Sequence, residues 1–290
     1  MGLWKHGDVD GTIRQIQDDA PGGCARLPVR HYNAPMRIAS WNVNSLKVRL
    51  PHVEQWCREA QPDVLALQET KTEDDKFPRE ALEALGYHAA YSGQKTYNGV
   101  AILARAPLQD VIAGVDGFED PHRRVLAATV GGLRIVNLYV VNGQSVGSEK
   151  YEWKLRWLVA ITDHLRAELR RYGKVIVLGD FNIAPEDRDV HDPEAWRGQV
   201  LCSEPERAAL RGILDLGFVD SFRAFVEDAG HFSWWDYRQA AFRRNLGLRI
   251  DLILASEALR AQLLSASIDR TPRTWERPSD HTPVLLELAN

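Results

Sequence analysis

The sequence predicts an α/β fold in which two packed β-sheets lie between outer helices. Short apolar and β-branched runs alternate with amphipathic stretches from Met36 onward, which is typical of mixed α and β structure. The alternation is not a regular strand, helix, strand pattern, because residues 125–141 indicate a hairpin around Gly131 and Gly132 and the last strands follow loops. Antiparallel pairs are therefore expected. A length of 290 residues is sufficient for one large core or two smaller ones.

Eight segments are predicted to be strands, because each is a short apolar run bounded by Gly, Pro, Asn or Asp. In chain order they are Arg37–Asn42, Asp63–Gln68, Gly99–Ala104, Val125–Val130, Leu133–Val141, Lys174–Phe181, Leu248–Ala255 and Val284–Leu288. Four amphipathic segments are predicted to be helices. These are Leu50–Glu59, Pro78–Leu85, Tyr151–Tyr172 and Glu206–Leu216, the last ending at Gly217 as a C-cap.

The first 35 residues differ from the rest of the chain. They show no sustained periodicity and end in a stretch rich in Pro and Gly, so we interpret residues 1–35 as an extension of unknown role and residues 36–290 as a single domain. No apolar run approaches the roughly 18 residues of a membrane span, and Met1–Ala20 is polar and acidic where a secretion signal is basic and then hydrophobic. The sequence therefore predicts a cytoplasmic protein without a membrane partner.

Composition excludes several protein classes and constrains the partner only weakly. A hydrophobic fraction of 44% excludes disorder, and the net charge of −4 taken alone argues against nucleic acid. The charge is segregated, however, because residues 59–83 carry a local charge of −5 and residues 231–250 a local charge of +3. Binding to DNA would depend on a localised basic face and weaken with salt. Cys24, Cys57 and Cys202 are far apart, which fits a reducing compartment and no zinc site.

Polar side chains stand at the ends of the predicted strands. In chain order they are Asn42, Glu69, Tyr139, Asn142, Asp180, Asn182, Asp251, Asp280 and His281. Several strand ends can converge on one cleft, and carboxylate and amide oxygens are the ligands that Mg²⁺ and Mn²⁺ prefer. Each residue also has a structural interpretation: Asn and Asp are common turn residues, and Asp280 with His281 could be a helix cap or a surface pair. Asp251 differs, since a carboxylate inside an apolar strand needs a partner.

Other chemistries lack their motifs. The letters Ser279, Asp280 and His281 are consecutive and cannot orient one another as a catalytic triad, and no Gly-x-Ser-x-Gly elbow exists. The loop 143–147 lacks the Lys and Ser or Thr of a phosphate-binding P-loop, and no Gly-x-Gly-x-x-Gly follows a strand.

Six segments resemble the signature blocks of the exonuclease III family of apurinic/apyrimidinic endonucleases, in the endonuclease/exonuclease/phosphatase superfamily. They are IASWNVNS (Ile38–Ser45), LQETK (Leu67–Lys71), LGDFNIAP (Leu178–Pro185), FSWWDYR (Phe232–Arg238), GLRIDLILAS (Gly247–Ser256) and PSDHTP (Pro278–Pro283). The resemblance implies a four-layered α/β sandwich with two central, mostly antiparallel sheets and one catalytic domain over residues 36–290. Glu69, Asp180 and the Ser-Asp-His block alone indicate the superfamily, whereas Lys71, FSWWDYR and GLRIDLILAS narrow it to the DNA-repair branch.

The resemblance also implies a divalent metal site, with Mg²⁺ as the cofactor and Mn²⁺ as a substitute. Glu69 would bind the metal directly, with Asn42 and Asp280 in support. In some structures of the family, a second metal is bound at positions that correspond to Asp180, Asn182 and His281. Metal-binding and catalytic roles therefore overlap at these three residues.

Catalytic roles are implied for a neighbouring set. Asp180 would orient and deprotonate the attacking water, with Asn182 beside it. His281, held by Asp251, would contact the scissile phosphate. Phosphate oxygens would be held by Tyr139 and Asn142.

The implied partner is double-stranded DNA with abasic sites or damaged 3′ ends, bound by a monomer. An apolar pocket that admits a bare sugar would be formed by Trp234, Leu248 and Ile250, although Trp234 and Trp235 could equally be core aromatics. Phosphate contacts are expected among cations that could otherwise be ordinary solvated residues. They are Lys71, Arg123, Arg124, Arg238, Arg243, Arg244 and Arg249, together with Asn142.

The loop Ala184–Leu201 departs from the family and is expected to border this pocket. We hypothesise that His191 restricts access and biases the enzyme between abasic-site incision and 3′-end trimming. Two alternatives remain at this point. One is a superfamily phosphodiesterase or phosphatase acting on RNA, lipid or inositol phosphates, and the other is a non-catalytic DNA-binding relative.

Overall fold

The computed structural model describes residues 34–290, so the proposed extension lies outside the described residues except at its last two positions. Strands are β1 (Met36–Asn42), β2 (Val64–Gln68), β3 (His88–Ser92), β4 (Val100–Ala104), β5 (Gln109–Ala113), β6 (Val125–Val130), β7 (Leu133–Tyr139), β8 (Val175–Asp180), β9 (Phe218–Asp220), β10 (Trp234–Trp235), β11 (Gly247–Leu248), β12 (Asp251–Ser256), β13 (Leu263–Ile268) and β14 (Val284–Leu288). Helices are α1 (Leu46–Ala60), α2 (Arg79–Glu83), α3 (Glu149–Tyr172), α4 (Pro193–Trp196), α5 (Glu204–Leu214) and α6 (Ala241–Arg244). Across residues 34–290, no helix is long and apolar enough to span a membrane.

Two six-stranded sheets confirm the predicted fold class. The first has the order β13-β14-β1-β2-β4-β3 and the second the order β5-β6-β7-β8-β12-β9. Each sheet is antiparallel apart from one central parallel pair, which is β1 with β2 in the first sheet and β7 with β8 in the second. The predicted hairpin around Gly131 and Gly132 joins β6 to β7 in antiparallel register. The predicted strand Leu248–Ala255 is divided, because residues 249 and 250 separate β11 from β12.

Alternating side chains divide the apolar residues into three layers of core. Along β1, Ile38 faces the second sheet, whereas Ala39 and Trp41 face α1. The cluster between the sheets contains residues of both, such as Ile38 and Ile176. A further cluster joins the outer face of the second sheet to α3 and α5. The order of layers is therefore helix, sheet, sheet, helix, as expected for a sheet that buries both faces.

A short polar network crosses the interface between the two sheets. Gln68, the last residue of β2, donates through Nε2 to Ser40 Oγ at 3.0 Å and to Asn137 Oδ1 at 2.8 Å. Asn137, in β7, donates through Nδ2 to the carbonyl oxygens of Leu67 and Ala101, each at 2.9 Å. Burial in an apolar layer makes such bonds costly to lose. The network therefore fixes how the sheets lie on each other just below the strand ends that carry the site.

The strand registers bring the predicted polar residues to one edge of the molecule. β1 is parallel to β2, with Asn42 opposite Gln68, so Glu69 follows at the same end. In the second sheet, Tyr139 and Asp180 are register partners, and Asp251 at the start of antiparallel β12 lies opposite Asp180. Both sheets therefore present their polar ends to a common cleft.

Candidate active site and metal centre

Three side chains from the two sheets form the centre of the cleft. A ligand atom of each of Glu69, Asp180 and His281 lies within 4.8 Å of the other two. Glu69 and His281 flank strands of the first sheet, and Asp180 ends a strand of the second. The prediction that strand-end polar residues converge is confirmed for these three residues.

Glu69 is held by three donors. Its Oε1 accepts from Asn42 Nδ2 at 2.8 Å and from the Tyr139 hydroxyl at 2.9 Å, and Lys71 Nζ lies 2.8 Å from Oε2. Burial alone would raise the pKa of Glu69, but the Lys71 ammonium and the Asn42 amide hold it below its usual value. Glu69 is therefore ionised at neutral pH and available to a cation.

Asp180 is buried and bonded on both oxygens. Its Oδ1 accepts from the backbone amide of Asn182 at 2.9 Å, and its Oδ2 accepts from Asn42 Nδ2 at 2.9 Å. Burial and the nearby Asp251 carboxylate raise the pKa of Asp180 to about 7, against the lowering effect of His281. A carboxylate with a pKa near the working pH is suited to exchange a proton.

His281 connects two carboxylates. Its Nδ1 lies 2.9 Å from Asp251 Oδ2, and its Nε2 lies 3.7 Å from Asp180 Oδ2. Burial alone would lower the pKa of His281, but the two carboxylates raise it to about 10. Asp251 Oδ1 has no hydrogen-bond partner among residues 34–290. The predicted need of Asp251 for a partner is met by His281.

Asp280 lies beside this centre and contacts it indirectly. Its Oδ2 accepts from Trp234 Nε1 at 3.0 Å, and its Oδ1 accepts from Asn44 Nδ2 at 2.9 Å. Asn44 Oδ1 in turn accepts from Lys71 Nζ at 2.5 Å. The carboxylate of Asp280 is thus linked to Glu69 through Asn44 and Lys71, and it is not among the three clustered ligands.

Backbone conformation turns several of these residues toward the cleft. Glu69, Lys71 and Asn182 have φ values of 52°, 50° and 48°, in the left-handed region that non-glycine residues seldom adopt. Gly179, directly before Asp180, has φ 145°, and a Cβ there would lie 1.9 Å from the Leu138 carbonyl oxygen. Strained backbone of this kind is often found at functional sites.

The donor set fits a hard divalent cation. Two carboxylates, the buried Asp180 and the partly exposed Glu69, and the imidazole of His281 lie within 4.8 Å of one another, and carboxylate oxygens are preferred ligands of Mg²⁺ and Mn²⁺. Asn42 presents its amide nitrogen to both carboxylates, so it would contribute its oxygen only after the amide turned over. The Lys71 ammonium lies 2.8 Å from Glu69 Oε2, so one positive charge already stands beside the carboxylate that would bind the metal.

Tyr139 and Asn142 lie on the second sheet's side of the cleft. Asn142 Nδ2 donates to Asn182 Oδ1 at 3.1 Å, and the Arg124 guanidinium stacks over the Tyr139 ring at 4.6 Å. A cavity of about 1170 Å³ opens beside them and is lined by Glu69, Lys71, Tyr97, Trp153 and Arg156, among others. Of the three clustered ligands, Glu69 lines this cavity, together with Tyr139 and Asn142.

The predicted pocket residues lie together, but two of them are covered. Trp234 is partly exposed, whereas Leu248 and Ile250 are 0% and 1% exposed. They pack against Val190 and Leu201 of the loop 184–201. The structure therefore places this loop over the apolar residues, as expected for a loop that borders the pocket. Trp235 is fully buried, so it is a core aromatic.

Most of the predicted phosphate-contacting cations lie at the surface, but one prediction is wrong. Arg123, Arg238, Arg243 and Arg244 are exposed, and Arg124 and Lys71 are partly exposed. Arg249 is only 1% exposed and forms ion pairs with Asp189 and Asp220. Its guanidinium is therefore unavailable to DNA. The sequence motif contains an Arg but does not show which way its side chain points.

One buried ion pair near the site was absent from the sequence interpretation. Lys154 in α3 and Glu206 in α5 are both fully buried, and Lys154 Nζ donates to Glu206 Oε1 and to the carbonyl oxygens of Asn142 and Asn182. These two carbonyls belong to residues whose side chains face the cleft. A Lys on the buried side of an amphipathic helix was the available signal.

The comparisons with known proteins agree with this geometry. The chain matches the endonuclease/exonuclease/phosphatase family over residues 39–281. It is 35% identical over 265 residues to exodeoxyribonuclease III of Haemophilus influenzae, covering 87% of this chain and 99% of that protein. A solved 3′ phosphatase from Neisseria, bound to a product DNA hairpin, is 49% identical with a TM-score of 0.87, covering 88% of this chain and 100% of that one. A solved AP endonuclease from Archaeoglobus fulgidus is 38% identical with a TM-score of 0.84, and the match covers 87% of this chain and 99% of that one.

Proposed function

The chain belongs to the endonuclease/exonuclease/phosphatase family and is a DNA-repair nuclease of the exonuclease III type, and from that premise we propose its substrates and reaction. It hydrolyses the phosphodiester on the 5′ side of abasic sites in double-stranded DNA, and it trims 3′ ends as a 3′–5′ exonuclease and 3′ phosphatase. The observation that carries the proposal is the cluster of Glu69, Asp180 and His281 within 4.8 Å, at the common edge of both sheets. Similarity to a 3′ phosphatase and to an AP endonuclease supports both activities.

Mg²⁺ is the proposed cofactor, and Mn²⁺ can replace it. Glu69 would hold the ion directly. The supporting positions are Asn42, Asp180, Asn182 and Asp280, and His281 joins them only in its neutral form, because a ring protonated on both nitrogens has no lone pair for a metal. When bound, the ion supplies positive charge that polarises the phosphoryl oxygen and stabilises the leaving oxyanion.

Asp180 and His281 carry the proposed proton chemistry. Asp180 accepts a proton from the attacking water, while the Asn182 amide and Asn42 keep the carboxylate oriented. His281 is protonated through its bond to Asp251 and donates from Nε2 to a phosphate oxygen. In-line attack leaves a 3′ hydroxyl and a 5′ deoxyribose phosphate.

DNA is held by groups around the cleft. Asn142 donates to a phosphate oxygen beside the centre, and Tyr139 does so once its hydroxyl, which donates to Glu69 in the structure, turns to the phosphate. The exposed cations Arg123 and Arg238 and the partly exposed cations Lys71 and Arg124 contact the flanking phosphates, and Arg249 is excluded by its burial. We propose that a monomer binds in this way and that affinity falls with salt because each contact releases counterions.

His191 is proposed to set the balance between the two activities. It lies in the loop that covers Leu248 and Ile250, its Nδ1 is 3.1 Å from the Gly247 carbonyl oxygen, and its ring lies 6.3 Å from that of Trp196. A side chain at this place limits the space for a bare sugar, so His191→Gly raises abasic-site incision relative to 3′-end trimming. An unchanged ratio of the two rates would refute this role.

The proposed function is tested by measuring hydrolysis rates on three duplexes. One has an internal abasic site, one a 3′ phosphate and one a recessed 3′ end. We expect metal-dependent turnover of all three and its loss in Asp180→Asn. Turnover of a lipid phosphodiester in the absence of nicking would favour a different member of the superfamily. Binding of the abasic duplex without any turnover would show a non-catalytic DNA-binding protein.

A further inference from the structure

Arg249 lies at the junction between the loop over the pocket and the second sheet. It follows Leu248 and precedes Ile250, the two covered pocket residues, and its own guanidinium is bound to carboxylates outside their apolar cluster. Arg249 Nε donates to Asp189 Oδ1 at 2.6 Å, and its NH2 group donates to Asp220 Oδ2 at 2.7 Å. One guanidinium thus joins Asp189 of the loop to Asp220 at the end of β9.

Loop residues 189–191, beside Arg249, are fixed by backbone contacts as well. The Arg249 amide donates to the Asp189 carbonyl oxygen at 2.9 Å, and the His191 amide donates to the Gly247 carbonyl oxygen at 3.1 Å. Between them, Val190 forms an antiparallel bridge with Leu248. Residues 189–191 therefore lie alongside β11, joined to it by this single β-bridge, and Val190 packs on the pocket residues.

Asp189 is also built into the loop itself. It is 0% exposed, and its Oδ2 accepts from the Glu186 amide at 3.0 Å, which closes the turn that precedes it. Arg223 donates to its Oδ1 as a second cation. The two carboxylates, Asp189 and Asp220, are balanced by two guanidinium groups, as a buried charge network requires.

We infer that Asp189 and Arg249 are positioning residues that hold the loop 186–191 over the Trp234, Leu248 and Ile250 pocket and so determine whether an abasic sugar is admitted. The inference deepens the proposed function and rests on it. Arg249 is suited to this task because its planar group binds two carboxylates at fixed angles, which a Lys cannot do. Weakening this network lets Val190 and His191 move away from β11, and the pocket opens.

Two variants weaken the network in different ways. Arg249→Lys keeps the charge but loses the two-sided geometry, and Asp189→Asn leaves Arg249 paired with Asp220. The matched control is Arg134→Lys, because Arg134 forms another buried ion pair, with Glu168, near the start of β7. Arg134 lies at the end of β7 opposite to Tyr139, and the Tyr139 end is the one that carries the site.

The test measures the ratio of abasic-site incision to 3′-phosphate removal, together with amide hydrogen exchange at Val190 and His191. We expect both network variants to raise the ratio on the order of fivefold, about 1 kcal/mol in relative activation free energy, and to exchange these amides faster. The control leaves the ratio unchanged. In Arg249→Lys/His191→Gly, we expect no further increase beyond His191→Gly, because both changes act through the same loop.

A ratio that stays at the control value in both network variants would overturn the inference, whatever His191→Gly does. This result differs from failure of the proposed function, in which the wild-type protein cleaves neither duplex. If one network variant does not fold, the other still decides between the two outcomes.

Discussion

Asp251 and Asp180 face each other across neighbouring antiparallel strands, and the imidazole of His281 lies between their carboxylates. The nearer contact, 2.9 Å from Nδ1 to Asp251 Oδ2, fixes the ring and its protonation. The farther contact, 3.7 Å from Nε2 to Asp180 Oδ2, directs the second nitrogen into the cleft. The relationship between the two aspartates thus sets which nitrogen of His281 can reach a substrate.

Asp251→Asn is expected to lower kcat on the abasic duplex by on the order of 10² to 10⁴, because a neutral amide cannot stabilise the protonated ring. KM is expected to change little, since Asp251 is only 1% exposed and its carboxylate is bonded to His281. Steady-state kinetics measure both constants. Asp163→Asn, on the exposed face of α3, is the control and keeps wild-type kinetics. A variant with normal kcat would show that Asp251 has only a structural role.

Glu69→Gln is expected to weaken Mg²⁺ binding. An ion that binds only the native state raises the free energy of unfolding by about 2.7 kcal/mol at 100 times its Kd, and tenfold weaker binding removes about 1.4 kcal/mol of this. Thermal unfolding with increasing Mg²⁺ measures the effect as a shift in Tm. Glu73→Gln changes a partly exposed carboxylate outside the cluster and retains the full shift. Equal shifts in Glu69→Gln and the wild type would place the ion elsewhere.

Gly179→Ala is expected to reduce the free energy of unfolding by at least about 2 kcal/mol, because the new methyl group would lie 1.9 Å from the Leu138 carbonyl oxygen and force β7 from β8. Gly212→Ala is the matched control. Gly212 lies inside α5, where a Cβ meets nothing within 4 Å, so helix propensity predicts a gain of up to about 1 kcal/mol. Urea unfolding of both variants measures the difference, and equal stability would contradict the prediction.

Lys154→Met is expected to cost about 3 to 5 kcal/mol of stability, because it leaves Glu206 charged and buried without its cation. Adding Glu206→Gln is expected to restore part of the loss. Urea unfolding of the single and double variants gives the coupling free energy. Arg166→Met, on the exposed face of the same helix, serves as the control and has a small effect. A double variant that is less stable than Lys154→Met would contradict this account.

Four of the five strands that lie wholly outside the predicted segments share one property. The four longer ones, β3, β5, β9 and β13, are the outer strands of the two sheets. An outer strand has a neighbour on one side only and a more exposed surface, so it needs fewer apolar residues, as in Gln109–Ala113 and Leu263–Ile268. Seven of the eight predicted strands form with ends that differ by a few residues, because central strands are apolar on both faces, and the eighth, Leu248–Ala255, is divided into β11 and β12.

The sequence predicts those site residues whose place in the cleft follows from their position at the end of a strand. Asn42, Glu69, Asp180 and Asp251 reach the cleft because strand ends converge. Arg249 and Lys154 were not predicted correctly, since their partners come from elements distant in sequence and only tertiary packing selects them. Buried ionic partners therefore remain outside what strand and helix periodicity can predict.

The polar contact of Gln68 with Asn137 has a consequence for the way this molecule loses function. Glu69 and His281 extend from one sheet and Asp180 and Asp251 from the other, so neither sheet alone carries all the side chains of the active site. A molecule in which both sheets persist but have slid apart keeps its secondary structure and has no competent centre. Enzymatic turnover is therefore a reporter of sheet docking, and on gentle denaturation it will disappear before the far-ultraviolet circular dichroism changes.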